Sequence, residues 1–197
     1  MRNILKYAKK TLLTVTMLTV LISNANEKIA IEKKGLVKTA LTINNVKEGN
    51  LLSIKDVHGI TLYKELISKS GTYRKGFDLT ALPDGEYVFE VDKDLQIKTI
   101  PFTVSNNNVV FNKTKEVTEF KPFVKKQNNL VYITQLAPNY ETLDISIYAN
   151  YGGEFQLIHS DKVENTQAIE KAYQLEKGSY KIVLHSNNKE YTKFINN

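Results

Sequence analysis

A 93-residue offset runs through this chain and constrains its fold more than any other feature. Leu82 precedes Leu175, Gly85 precedes Gly178 and Tyr87 precedes Tyr180 by that interval, so FDLTALPDGEYVFEV (Phe77 to Val91) returns in weaker form as EKAYQLEKGSYKIVL (Glu170 to Leu184). The same shift carries Ile43 onto Leu136, Leu52 onto Ile145, Ile54 onto Ile147, Gly59 onto Gly152, Leu62 onto Phe155, Phe89 onto Ile182 and Val91 onto Leu184. Unrelated strands share alternation by chance, but they do not keep turn glycines in one register over about 35 residues. The 197 residues therefore read as a duplicated unit, each copy being large enough to bury a core without a metal or disulfide.

The repeated stretch shows what kind of unit it is. Pro83 presets the first turn position, Asp84 bonds to nearby amides and Gly85 tolerates a left-handed or bulged backbone. Beyond the turn, Tyr87, Phe89 and Val91 share one face at period two and Glu86, Val88 and Glu90 the other. Leu82, Pro83, Gly85 and Tyr87, with Leu175, Gly178 and Tyr180 in the second copy, are accordingly read as a structural turn that launches a core strand.

Further strands are expected at Lys28 to Glu32 and Leu36 to Ile43, with Lys33 to Gly35 as their turn, and then at Leu52 to Val57, Ile60 to Glu65, Gly76 to Thr80 and Gln96 to Val104. Ser68 to Arg74 reads as a polar loop, and Pro101 marks an edge or a bulge. In the second copy strands are expected at Glu119 to Lys125, Leu130 to Leu136, Leu143 to Ala149, Glu154 to Ile158, Ile169 to Leu175, Ser179 to His185 and Glu190 to Ile195. About seven short, turn-bounded strands per unit predict an all-β chain of two tandem antiparallel β-sandwiches of Ig-like or fibronectin III-like type. The expected domains are 26–112 and 113–197, joined end to end without a Pro- or Ser-rich linker. One helical alternative lies at Ser160 to Glu176, where Asn165 to Leu175 is rich in helix formers.

At the N-terminus, Arg2, Lys6, Lys9 and Lys10 precede the apolar run Thr11 to Ile22, and Ser23-Asn24-Ala25 supplies small residues for cleavage after Ala25. Residues 1–25 thus read as a signal peptide, since the apolar run falls short of the roughly 20 residues of a spanning helix. No stable membrane span is expected once it is removed. Four of the 27 basic residues leave with it, so against 21 acidic residues the net charge drops from +6 to +2. Neither half is a basic domain, and no nucleic-acid partner is expected. There are no cysteines, which excludes disulfides, thiolate metal sites and a lipidated-cysteine anchor. The expected location is outside the cytoplasm: periplasmic, outer-membrane-associated or extracellular.

No catalytic, cofactor-binding or metal motif stands out. His58 precedes a turn glycine, His185 ends a strand and His159 has no motif around it, so none forms a nucleophile–base–acid set on spacing alone. Asp92 and Asp94 flank a hairpin turn, but Lys93 lies between them and no third Ca²⁺ ligand follows. Asn112-Lys113-Thr114 matches the glycosylation tripeptide, a pattern too short to mean much. Exposed aromatic rings anchor protein partners or stack on sugars, and Tyr148 and Tyr151, leading into Gly152-Gly153, are the candidate ligand surface among the 11 tyrosines. The chain is expected to be non-enzymatic and to act through a protein or cell-surface partner, the alternative being a carbohydrate-binding module that uses these tyrosines. A hydrolase would require an acid gathered with His159 or His185 in a deep pocket.

Two motifs carry a family resemblance. Ile54-Lys55-Asp56-Val57-His58-Gly59 followed by Leu62 is similar to an I-Y-D-x-x-G-x-x-V hairpin, and Asp78 to Tyr87 (DLTALPDGEY) resembles a D-L-S-x-L-P-x-G-x-Y turn and strand. Both are features of the C-terminal sorting domain of the type IX secretion system of Bacteroidetes-type bacteria, which Leu52 to Val104 resembles over about 50 residues of sandwich. A weaker copy spans Leu143 to Ile195, where Asn150 replaces the acid and the turn loses its proline. The resemblance implies a β-sandwich fold, an exported location and an association with type IX export. A sorting domain acts at the C-terminal end behind a passenger, whereas the better copy here is internal.

Overall fold

The computed structural model describes the backbone of residues 30–34 and 38–197, and side chains from residue 39 onward. The signal peptide expected at 1–25 lies outside the described residues, as do residues 28–29 of the first expected strand and Gly35, Leu36 and Val37 of the turn and strand that follow it.

Among the described residues every strand pairing is antiparallel. In the first unit β1 (Ala30–Lys34), β2 (Lys38–Val46) and β5 (Gly71–Phe77) form one sheet in the order β1-β2-β5. A larger sheet, in the order β4-β3-β6-β7, is built from β3 (Leu51–Asp56), β4 (Thr61–Leu66), β6 (Gly85–Asp92) and β7 (Gln96–Ser105). Two short strands, β8 (Asn108–Phe111) and β9 (Val117–Phe120), line the free side of β7. The second unit repeats this order. Strands β10 (Phe123–Gln127), β11 (Leu130–Leu136) and β14 (Ala168–Gln174) run β10-β11-β14. Their companions β12 (Leu143–Tyr151), β13 (Glu154–Val163), β15 (Ser179–Ser186) and β16 (Lys189–Asn196) run β13-β12-β15-β16. Register repeats as well as order: Leu52 faces Val91 and Ile54 faces Phe89, while 93 residues on Ile145 faces Leu184 and Ile147 faces Ile182.

Alternation decides which side of each sheet is buried. On β6, Tyr87, Phe89 and Val91 point inward and their neighbours stay at least partly exposed. The first core is aromatic, with Phe77 of the small sheet 5.3 Å from Phe89 of the large one and Phe102 5.2 Å beyond. The second is aliphatic, with Val131 and Ile133 of β11 buried in one cluster with Ile145, Ile147, Ile182 and Leu184. Each fully buried side chain of this size contributes about 1.5–3 kcal/mol through loss of water contact. The two clusters share no residue, so the chain is two tandem sandwiches, each sealed by its own pair of sheets.

Several local expectations are corrected. The stretch Ser68 to Arg74 is not all loop, because β5 begins at Gly71; its polarity reflects an edge strand with one wet face. Extended structure ends at Phe77 rather than Thr80, and Leu79–Ala81 forms a single 3-10 turn that buries Leu79. No helix forms in Ser160 to Glu176, since Ala168 to Gln174 pairs with all seven residues of β11 and this pairing overrides local helix preference. Pro101 lies in a strand flanked on both sides. Its carbonyl accepts the Asn112 N–H at 2.9 Å, so its own nitrogen also faces away from β6, toward the gap between β8 and β9, and the missing N–H breaks no bond of the ladder with β6.

Pairing of β9 with β7 also carries the first sheet past the division expected at Asn112, as far as Phe120. The next residues are gripped from both sides. Lys121 donates its N–H to the Leu95 carbonyl at 2.9 Å and pairs through Nζ with Asp92. From the second unit, Gln135 Nε2 donates to the Phe120 carbonyl at 3.1 Å and Lys189 Nζ meets Glu119 at 2.5 Å.

Candidate functional site

The repeated turn proves to be a tyrosine corner in both units. Tyr87 donates its hydroxyl to the Pro83 carbonyl at 2.8 Å and Tyr180 donates to the Glu176 carbonyl at 3.0 Å, each four residues upstream. Gly85 opens β6 without the left-handed backbone expected of it, and a Cβ there or at Gly178 would meet the tyrosine ring at an ordinary contact distance of 3.6 Å, so space alone does not demand glycine at either corner. Loss of proline from the second copy leaves this bond intact. Tyr87→Phe and Tyr180→Phe are each expected to cost about 1 kcal/mol, read as a lower urea midpoint with an unchanged slope.

A second device, which sequence reasoning missed, closes the open side of each sandwich. In the first unit Glu65 of β4 accepts hydrogen bonds from Tyr63, from Tyr73 at 3.0 Å and from Lys75 at 2.6 Å, the last two on β5. In the second, Asp161 of β13 accepts from Tyr173 at 3.0 Å and pairs with Lys171 at 2.9 Å, both on β14. The clamp is thus one carboxylate on one sheet held by a tyrosine and a lysine on the other, with the order of the two donors reversed between copies. A tyrosine and a lysine two apart on β5 and β14 were the available signal, but only the meeting of the two edge strands gives it meaning.

Lys75 above all, with the Tyr63 hydroxyl, holds the Glu65 carboxyl below the usual range. Burial opposes the charge on Asp161, but the bonds from Lys171 and Tyr173 outweigh it and its carboxyl is also lowered. Burial, then the neighbouring carboxylate, pushes both Tyr73 and Tyr173 well above the ordinary phenol value. The lowered carboxyls bind protons less readily folded than unfolded, so their contribution is complete above the unfolded carboxyl range and fades as pH falls through it. The raised phenols act in the opposite sense, and their contribution is lost as pH rises past the unfolded tyrosine value. Urea midpoints should therefore be flat between about pH 5.5 and 9 and fall on both sides; a midpoint that rises below pH 4 contradicts the clamps.

Tyr148 and Tyr151 are not brought together. Tyr148 faces outward on β12, whereas Tyr151, three residues on, shares the inward parity of Ile147 and Ala149 and lies past the end of the core, toward Tyr180. Tyr148 belongs instead to a row crossing all four strands of the larger sheet, Leu157–Tyr148–Lys181–Phe194, each directly opposite the next. The Lys181 ammonium lies 4.6 Å from the Tyr148 ring centre and 5.4 Å from that of Phe155, and Phe155 leans on Phe194 at 5.7 Å. Leu157 and Phe194 are 55% and 63% exposed. Here a rigid sheet with its inner face already committed to the core presents an aromatic and aliphatic platform around one cation. The equivalent positions of the first unit, Lys55, Val88 and Pro101, carry no ring; Lys55 pairs there with Glu90 at 2.7 Å. A hollow of about 130 Å³ beside Val88 and Pro101, lined also by Val57, Glu86, Asn112 and Lys115, contains no histidine.

The other singled-out residues have structural surroundings. The Asp56 carboxylate accepts the His58 and Ile60 amides, both at 2.9 Å, and Asn150 does the same for Gly153 at 2.9 Å, so an amide replaces the acid without loss of the turn. Asp92 pairs with Lys121 and Asp94 with Lys47 at 2.7 Å, which draws the two carboxylates to different cations. His185 meets Glu190 at 3.2 Å on the open surface. His159 leans on Tyr173 with ring centres 5.1 Å apart and planes tilted by 58°, and its buried Nε2 has no hydrogen-bond partner. Among the described residues no three His, Asp or Glu side chains gather in a metal-binding group, and no helix is long and apolar enough to cross a membrane.

Neither a family model nor a curated protein matches the chain. Among solved structures it is similar to the chicken CNTN1 FN1-FN3 domains, at 11% identity and a TM-score of 0.27 over 80% of this chain and 59% of that one. A biofilm-associated protein BSP domain matches at 8% identity and a TM-score of 0.25, over 81% and 27%. The human OSCAR ligand-binding domain matches at 8% and 0.24, over 82% and 90%. The chain thus spans about three-fifths of the first of these structures and about a quarter of the second. Its fold class rests on its own strand order, register and paired-sheet cores: an all-β chain of tandem sandwiches.

Proposed function

We propose that this is an exported, non-enzymatic protein whose two sandwiches, each a domain, work through contact with a protein or cell-surface partner. One observation carries this reading: the outward platform of Tyr148, Phe155, Leu157 and Phe194 around Lys181, which the first unit lacks at the same positions. Rings held on a sheet lose little freedom on binding, and such residues are enriched among those that dominate interfaces. Export is supported by the basic, apolar and small-residue order of residues 1–25. Cosedimentation of the full chain with bacterial envelope vesicles tests the contact: Tyr148→Ala with Phe155→Ala should abolish it while the melting temperature is kept, and equal sedimentation of the variant would refute it.

The resemblance of Leu52 to Val104 to type IX sorting domains supports a link to that export route. A reporter fused ahead of residues 113–197 in a type IX-competent bacterium should reach the cell surface, and retention in the periplasm would remove the sorting role. Carbohydrate binding through Tyr148 and Tyr151 has less support, since the two rings lie on opposite faces of β12. A glycan array that captures the native chain but not Tyr148→Ala would restore it.

A further inference from the structure

The duplication leaves one edge covered in the first unit and bare in the second. In the first, the outer side of β7 is lined by β8 and β9. Its counterpart β16 is the last strand of its sheet, and among the described residues no strand pairs with its outer side. The opposite edges of the two larger sheets are blunted by bulges, Leu62 being the extra residue on β4 and Ile158 on β13. In contrast, β16 keeps an unbroken register over its eight residues.

Which groups are free follows from the ladder. Gly178 and Asn197 exchange both backbone bonds, at 3.1 and 2.8 Å. Antiparallel pairs alternate between bonded and non-bonded, so Ile195, Lys193, Tyr191 and Lys189 point their N–H and C=O groups to β15, and Glu190, Thr192, Phe194 and Asn196 point theirs outward. The Asn196 carbonyl is taken by Lys126 Nζ at 2.7 Å, which confirms that direction and caps that end. Glu190, Thr192 and Phe194 remain, a three-residue acceptor for another strand.

We propose that this edge pairs with the same edge of a second copy, forming an isologous dimer whose two four-stranded sheets merge into one of eight. Self-pairing that keeps both outer faces on one side must centre on a residue; centring on Phe194 would need the Asn196 carbonyl that Lys126 holds, and charge selects among the rest. Centring on Tyr191 sets Lys189 against Lys193, and centring on Lys193 sets that lysine against itself; like charges directly opposite destabilise a pair. Centring on Thr192 opposes Thr192 to Thr192, Glu190 to Phe194, Tyr191 to Lys193 and Lys189 to Ile195. No like charges meet, and all three outward residues exchange both backbone bonds with the partner copy.

Sedimentation velocity of the full chain across a concentration series should show a species of twice the chain mass. Thr192→Pro removes an edge-facing donor, as Pro101 does in the first unit, together with an exposed hydroxyl bond to Glu190 at 3.2 Å, and should return the protein to monomer with an unchanged circular dichroism spectrum. Phe194→Pro, which copies Pro101 at its own equivalent position, does the same if Thr192→Pro misfolds. The cysteine-free chain also permits a register test: Thr192→Cys places two thiols on Cα atoms about 5.5 Å apart and should cross-link on oxidation, whereas Glu190→Cys holds its pair about 13 Å apart and should not. A monomer at every concentration, a dimer that survives both proline variants, or equal cross-linking by the two cysteines would overturn the proposal, even if the monomer captured some other protein.

Discussion

Phe89→Ala is expected to destabilise the first sandwich by about 3–5 kcal/mol and to leave the second untouched. Phe89 has no exposure and touches the core from both layers, its ring meeting Phe77 of the smaller sheet and Phe102 of its own. Removing it deletes a central contact between the sheets and leaves a cavity that rigid strands cannot collapse to fill. Against a total domain stability of about 5–15 kcal/mol, that loss brings the unit close to unfolding at room temperature. Urea unfolding followed by hydrogen exchange should show amides of β2 to β9 losing protection while those of β11 to β16 keep theirs.

The converse holds 93 residues further on. Ile182 occupies the position of Phe89 in the second unit, is equally buried and pairs with Ile147 across β12. Ile182→Ala is expected to cost about 2–5 kcal/mol, read as early exchange confined to β11 through β16. The two clusters have no residue in common, and the grip at Glu119 to Lys121 adds only a few polar contacts between them. The double variant should therefore lose the sum of the two single effects, since distant sites add. A shared loss of protection after either single change would mean one cooperative body.

Much of this was legible from local chemistry. The turn at Leu82 to Gly85, the inward face of Tyr87, Phe89 and Val91 and nearly all of the second-unit strands follow from period two and turn residues, because those signals act within a few residues. What escaped depends on partners distant in sequence. The start of β5 is hidden because an edge strand with one wet face reads as polar loop, and β9 is hidden because its pairing with β7 is chosen by register. The Glu65 and Asp161 clamps require knowing that β4 meets β5 and that β13 meets β14. Tyr148 was found, but its neighbours were not: Phe155, Lys181 and Phe194 come from three other strands and meet it only through the sheet. Tyr151, three residues away, falls on the opposite face by the same period that located the core.

At the platform a salt bridge of the first unit, Lys55 to Glu90, gives way to an aromatic row in the second, and that row is the proposed contact face. Hydrogen exchange of the full chain with and without saturating envelope vesicles tests this most directly. Added protection should be confined to β12, β13, β15 and β16, strongest around Tyr148 and Phe155. Protection centred on the first unit, or no protection at bound stoichiometry, would contradict it.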